Sequence, residues 1–259
     1  MEPTTAPGLV TCSITMSVDG FVAGPRQSLA NPIGEGGGRL HRWMFEQPDA
    51  NAPEIAALTS AGAYIMGRNM FGPGRGEWDM AWRGWWGEEP PYHAPVFVLT
   101  HHERDPLTMQ GGTAFSFITD GFESALVQAR AAAGDRAVAI AGGAATVNQY
   151  LVAGLVDELW LHIAPITLGA GERLFDGADV ALVPVDARHT DLVTHVLKSQ
   201  PPIPDVDNYP LARRHLAGEE HPGELVIDLS LDATAHRPRP EFRLVTMLGQ
   251  PVDRGGGES

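Results

Sequence analysis

The sequence predicts an α/β fold, with a central, mostly parallel sheet and an antiparallel edge at its C-terminal side. Three observations carry this. Short apolar, β-branched runs alternate with stretches of helical spacing as far as Gly154. The expected helices stop at glycines, Gly62, Gly134 and Gly154, where a left-handed C-terminal residue ends a helix cheaply. After Gly154 the strands follow one another with no helix between them, as antiparallel neighbours do.

Residues 9–16 read as a first strand that ends at the turn signal Ser17-Val18-Asp19-Gly20. GEGGG at 34–38 reads as a mobile loop; it lacks the strand before and helix after that a phosphate loop requires. Asn51 to Glu54 resembles a capping box, with Pro53 in the first turn, where its missing N–H costs little. Ile55 and Leu58 continue that helix to Gly62. Strands are expected at 63–66 (AYIM), 95–100 (PVFVLT) and 114–119. A helix at 123–133, a strand at 137–141 (AVAIA) and a helix at 144–153 follow. Strands at 157–168, 179–185 and 191–198 complete the domain.

A boundary is expected near Gln200, because Pro201-Pro202-Ile203-Pro204 breaks any regular element. This divides the chain into a domain at 1–200 and an extension at 201–259. In the extension, 224–232 alternates apolar and polar residues as a half-buried strand. Residues 241–248 suit its hairpin partner, and 253–259 a frayed tail.

The bulk properties exclude several function classes. The net charge of −14 argues against nucleic acid and anionic membrane surfaces as partners. A small anionic ligand stays possible, since backbone N–H groups override the global sign locally. The lone Cys12 sits in an apolar run, reads as a small buried hydrophobe, and fits a reducing, cytoplasmic compartment. The N-terminus has no basic and apolar secretory pattern, and no stretch approaches the ~18 apolar residues of a membrane span. The ten histidines show no HExxH spacing, so no metal is expected. Asp157 and Glu158 are strand neighbours pointing to opposite faces, so they cannot act together.

Three strand ends carry candidate chemistry, and open α/β sheets bind ligands at the carboxyl ends of strands. At the first, Gly142-Gly143 leads into a helix. It suits either a diphosphate on the helix N-terminus or a plain tight turn. At the second, Arg68 follows Met66-Gly67, as a phosphate clamp or a solvated surface residue. At the third stands Thr100-His101-His102. Together they suit one phosphorylated dinucleotide. Trp78, Trp82, Trp85 and Trp86 crowd a glycine-rich loop, as a stacking wall, a lid or a dimer surface. Trp43 suits a pocket or the core. His162 suits a proton donor or a satisfied strand histidine.

The segments SITMSVDGFVAG (13–24), IMGRNMF (65–71), VFVLTHH (96–102), VAIAGGAATVNQYL (138–151) and GLVDELWLHIAPITLGAGERLF (154–175) come in the order of a known family. With them the chain resembles the dihydrofolate-reductase-like superfamily. Within it, the chain is similar to the reductase domain of the riboflavin-biosynthesis deaminase/reductase. The match covers about 10–198 and leaves the extension out. It implies a three-layer dihydrofolate-reductase-like fold and an NADPH-dependent oxidoreductase, often a homodimer, acting on a pterin, an aminopyrimidine precursor of flavin or a related heterocycle. A non-catalytic sensor or scaffold and a natural-product reductase stay open as alternatives. The resemblance implies that Gly67 and Arg68 lie beside the adenosine 2′-phosphate, with Asn69 and Met70 also at the cofactor. Thr100 and His101 would flank the ribose phosphate. Gly142, Gly143, Ala144, Ala145 and Thr146 would hold the diphosphate, and Ser13 and Thr15 would floor the pocket. Asp19 would close over the nicotinamide and is, with His162, a candidate proton donor; Trp43, Phe71 and Trp78 would meet the substrate. One departure counts against ordinary dihydrofolate reduction. Arg39 to Phe45 reads RLHRWMF, with no acid where those reductases bind the pterin.

Overall fold

The computed structural model describes residues 8–73 and 76–199, all within one compact unit. Its order is β1 (Val10–Ser17), β2 (Phe21–Ala23), α1 (Arg42–Glu46), α2 (Ala52–Ala57), β3 (Ala63–Gly67) and α3 (Arg68–Phe71). Then come β4 (Pro95–Leu99), β5 (Leu107–Thr108), β6 (Ala114–Ile118), α4 (Phe122–Ala133), β7 (Val138–Gly142) and α5 (Ala144–Val152). Last are β8 (Glu158–Ala164), β9 (Glu172–Arg173), β10 (Val183–His189) and β11 (Thr194–Ser199).

Nine strands form one sheet in the order β10-β11-β8-β1-β7-β3-β4-β6-β5. From β8 to β6 every pairing is parallel. β11 and β10 add the expected antiparallel edge, and β5 adds an unexpected antiparallel strand on the other side. The expected α/β class is therefore the one found. Two apolar clusters lie on opposite faces of the sheet. On one, Ala125, Leu126 and Ala129 of α4 and Val147, Tyr150 and Leu151 of α5 pack against Ile65, Ile140 and Leu159. The helical spacing of these residues is what buries one stripe of each helix. Each large side chain so buried is worth roughly 2 kcal/mol, more than any propensity difference along a short helix. On the other face Tyr64, Met66, Val96, Val98 and Phe115 pack together. β3 supplies both clusters and is buried throughout. Cys12 lies inside the first cluster, where burial pushes its thiol up to about 12.

Several elements differ from the sequence expectation. The capping box does not form: the Asn51 side chain turns away from α2 and donates to the Trp43 and Gln47 carbonyls. The strand expected at 157–168 stops at Ala164, because the next residues form a loop that binds Asp19. The strand expected at 179–185 runs instead over Val183–His189, in register with β11 and fully exposed. GEGGG is held by backbone hydrogen bonds from Gly34 to Asn31 and from Glu35 to Pro25, and its Gly34 packs on the Gly24 carbonyl. The boundary at Gln200 and the strands expected at 224–232 and 241–248 lie outside the described residues.

Candidate functional site

Four adjacent parallel strands, β7, β3, β4 and β6, bring their carboxyl ends to one groove of about 530 Å³. Gly67-Arg68, Thr100 to His102, Thr119 and Gly143 to Thr146 line it. The α5 N-terminus opens into this groove with no side-chain cap, so its first N–H groups and its dipole face the groove. Gly142 turns the chain there at φ 129°, a conformation only glycine holds cheaply. Gly67 approaches α5 so closely that a Cβ would stand 2.5 Å from the Thr146 hydroxyl. Arg68 stacks its guanidinium 3.9 Å from the centre of the Trp78 ring and donates to the Glu77 carbonyl at 3.2 Å. Its Nε is buried and has no partner within the protein.

A second cavity, of about 640 Å³ and mainly apolar, adjoins the groove; both are lined by Asn69, Gly143, Ala144 and Glu172. Ile14, Ile33, Ile55, Leu58, Trp85 and Trp86 give it apolar walls. Ser13, Thr15 and His162 form a polar strip along one side. The sheet register explains the strip. Thr15 pairs with His162 across β1 and β8, and Ser13 lies two residues before Thr15, on the same face. His195 pairs with His162 across β8 and β11.

Behind the strip runs a buried chain of polar side chains. Ser13 Oγ lies 2.7 Å from His162 Nε2, His162 Nδ1 lies 2.7 Å from His195 Nδ1, and His195 Nε2 lies 2.9 Å from Asn51 Oδ1. Trp43 covers the pair, with ring centres 4.9 Å from His162 and 5.2 Å from His195. Burial, followed by the neighbouring His195 and His41, pushes His162 down to about 3. Burial pushes His195 down to about 4, against the opposing pull of the Glu54 carboxylate. Both imidazoles are neutral at pH 7.

The groove gathers Gly67, Arg68, Thr100, His101, Ala145 and Thr146, and shares Asn69, Gly143 and Ala144 with the cavity. Ser13, Thr15, Met70 and Gly142 line the cavity alone. Trp43 and Phe71 are buried in packing and line neither space. Trp78 also lies off both walls, with its indole N–H donated to the His102 carbonyl at 2.8 Å. The Asp19 carboxylate also lines neither space; it accepts from the Ser17 hydroxyl and from the Leu168 and Gly169 amides. Those bonds hold it down to about 2, so it is ionised at neutral pH and has no proton to give. Sequence reasoning missed His195 and Asn51 of the buried chain and Glu172, which borders both spaces. Nothing in the sequence alone sets the β8–β11 register that joins His195 to His162.

The family described as the RibD C-terminal domain matches residues 9–196. The chain belongs to that family. Membership makes this RibD-type chain a relative of riboflavin-type reductases. None of the curated proteins matches it. A putative riboflavin biosynthesis protein from Shewanella sp. PV-4 is similar in structure, with a TM-score of 0.50 and 20% identity, over 76% of this chain and 99% of that one. The diaminohydroxyphosphoribosylaminopyrimidine deaminase/5-amino-6-(5-phosphoribosylamino)uracil reductase of Thermotoga maritima aligns with a TM-score of 0.48 and 14% identity, over 75% and 57% of the two chains. The dihydrofolate reductase of Enterococcus faecalis, complexed with NADP(H), aligns at 0.44 and 16%, over 77% and 100%. Among the described residues no helix of the RibD-type domain is long and apolar enough to cross a membrane, and no group of acids, histidines and cysteines could hold a metal.

Proposed function

We propose that the chain is an NADPH-dependent reductase that delivers a hydride to a C=N or C=O of a small flat heterocycle, pterin-like or aminopyrimidine-like. The observation that carries this reading is the junction, across Asn69, Gly143 and Ala144, of a groove that holds Arg68, Thr100 and the α5 start with a mainly apolar cavity. The groove has what a phosphorylated dinucleotide needs. The uncapped α5 start offers N–H groups to a diphosphate, and Gly67 keeps the β3 end close to it. The unpartnered Arg68 Nε suits a further phosphate, as on the 2′ position of the adenosine. Thr100 and His101 border the same stretch.

When bound, the nicotinamide supplies the hydride. The protein's own residues would hold the two rings against each other where the groove meets the cavity. Trp85 and Trp86 offer aromatic faces to a flat ring, and Ser13 and Thr15 offer the hydroxyls that orient it.

Titration of NADPH fluorescence tests the cofactor half. Binding should be at least about tenfold tighter for NADPH than for NADH, and Arg68→Ala should remove that preference. Equal affinity for the two nucleotides in the unaltered protein would overturn the reading. Turnover is then sought with pterins, flavin precursors and aminopyrimidines.

A further inference from the structure

The hydrogens of the buried chain behind the cavity are fixed by its far end. Asn51 is fully buried, and its Nδ2 faces two groups that only accept, the Trp43 carbonyl at 3.2 Å and the Gln47 carbonyl at 2.8 Å. Its amide nitrogen therefore points at them, and its Oδ1 faces His195. A flipped amide would set oxygen against two oxygens. An acceptor at Oδ1 requires a proton on His195 Nε2. A neutral imidazole carries one N–H, so His195 Nδ1 is bare and accepts. His162 Nδ1 then donates to it, which leaves His162 Nε2 bare. Ser13 is the remaining partner, and its hydroxyl must donate to His162 Nε2. Burial keeps both rings neutral, which the one-proton reasoning needs.

The consequence is felt at the cavity wall. Ser13 has one proton, and it is spent inward. What remains toward the cavity is lone pairs, in a space whose other walls are mainly apolar. We propose that Ser13 is a specificity-determining hydrogen-bond acceptor that selects a ring N–H of the bound heterocycle over a bare ring nitrogen, with His162, His195 and Asn51 as the positioning residues that fix its direction. This rests on reading the apolar cavity as the heterocycle site. A ring nitrogen with a lone pair would meet oxygen lone pairs there and lose its hydration without return. The expected ligand is a lactam-type or uracil-type edge rather than a pyridine-type one.

The test uses the full chain and two fluorescent probes, lumazine and 1,3-dimethyllumazine. The first has two ring N–H donors; the second has none. Lumazine should bind about tenfold more tightly, the usual scale for one buried neutral hydrogen bond. Ser13→Ala should bind both probes alike. His162→Ala frees the Ser13 proton to turn outward, so the preference should shrink while dimethyllumazine binding persists. A preference that survives Ser13→Ala is steric and overturns the proposal. So does equal binding of the probes to the unaltered protein, with the heterocycle reading intact. NADPH titration alongside separates either result from failure of the nucleotide groove. If neither probe binds while NADPH does, the heterocycle reading falls and the proposal with it. Imidazole nitrogen shifts in labelled protein give a readout free of any ligand. His162 should carry its proton on Nδ1 and His195 on Nε2; the opposite tautomers overturn the proposal.

Discussion

The Asp19 carboxylate accepts the Gly169 amide at 2.7 Å, joining the turn after β1 to the loop after β8. Leu168 donates to the same carboxylate at 3.1 Å, and the Ser17 hydroxyl at 2.5 Å. Next to this knot, β2 pairs with β9, whose Glu172 borders both the groove and the cavity. Asp19→Ala should strip protection from the Leu168 and Gly169 amides in hydrogen exchange, by about tenfold or more. The carboxylate is held down to about 2, below its ordinary 3.8. Its contribution is therefore complete above about pH 4 and fades as the pH falls toward 2. Unchanged exchange at those two amides in Asp19→Ala would refute the anchoring role.

Gly67 and Thr146 set the spacing between β3 and α5. A Cβ at position 67 would meet the Thr146 hydroxyl at 2.5 Å but the Thr146 Cβ only at 3.7 Å. Gly67→Ala should cost roughly 1–3 kcal/mol, as overpacking of a tight site does, and should weaken nucleotide binding by moving the helix start. Removing the obstacle in Gly67→Ala/Thr146→Ala should recover most of the stability, a coupling that a double-mutant cycle in urea would measure. Additive losses would place the cost elsewhere.

How far the sequence disclosed this site depends on the range of the interactions. The β3–Gly67-Arg68 and β7–Gly142-Gly143 ends were legible because a strand, a glycine and a helix start are neighbours in the chain. Sheet topology then brings such ends together by rule. The resemblance puts Trp43 and Phe71 at the substrate, but α1 and α3 turn them into the core. Aromatic residues are large enough to serve either purpose, and only packing decides. The Asn51 side chain resembled a helix cap because capping is its commonest local use. A partner 144 residues away, His195, takes its oxygen instead. Bonds of that separation leave no local trace.

Glu54 and Arg188 form a pair of unequal exposure. The Glu54 side chain is 8% exposed and that of Arg188 42%, with Arg188 Nε at 2.8 Å from Glu54 Oε1. Arg188 also donates to the Ala50 carbonyl at 3.0 Å, tying exposed β10 to the start of α2. Arg188→Ala leaves a buried carboxylate without its main partner and should cost roughly 1–3 kcal/mol. Glu54→Gln in the same background should return part of it, since a neutral amide is easier to bury. Chemical denaturation of the three proteins checks this. Equal stability of the single and double variants would show that the charge is solvated.

The buried histidine pair gives the fold a pH dependence whose sign follows from the directions of the two shifts. His162 sits at about 3 and His195 at about 4, both below the ordinary 6.5. The groups that face them are Glu54, which raises His195, and Arg188 and His41, which lower His195 and His162 in turn. His41 is itself pushed down by burial. The unfolded chain takes up protons at these positions below about pH 6.5, and the folded chain does not. Stability contributed by the neutral pair is thus complete above 6.5 and lost as the pH falls toward 4. Near pH 5 the difference approaches two protons, a slope of roughly 2–3 kcal/mol per pH unit. His195→Gln removes one of them and should lower that slope by about half, whatever it does to the stability at pH 8. Urea midpoints measured from pH 7.5 to 4.5 read both slopes. A flat profile between 6.5 and 5 in the unaltered protein would mean that the pair already holds its protons in the folded state, and the neutral chain from Ser13 to Asn51 would not exist in the form described.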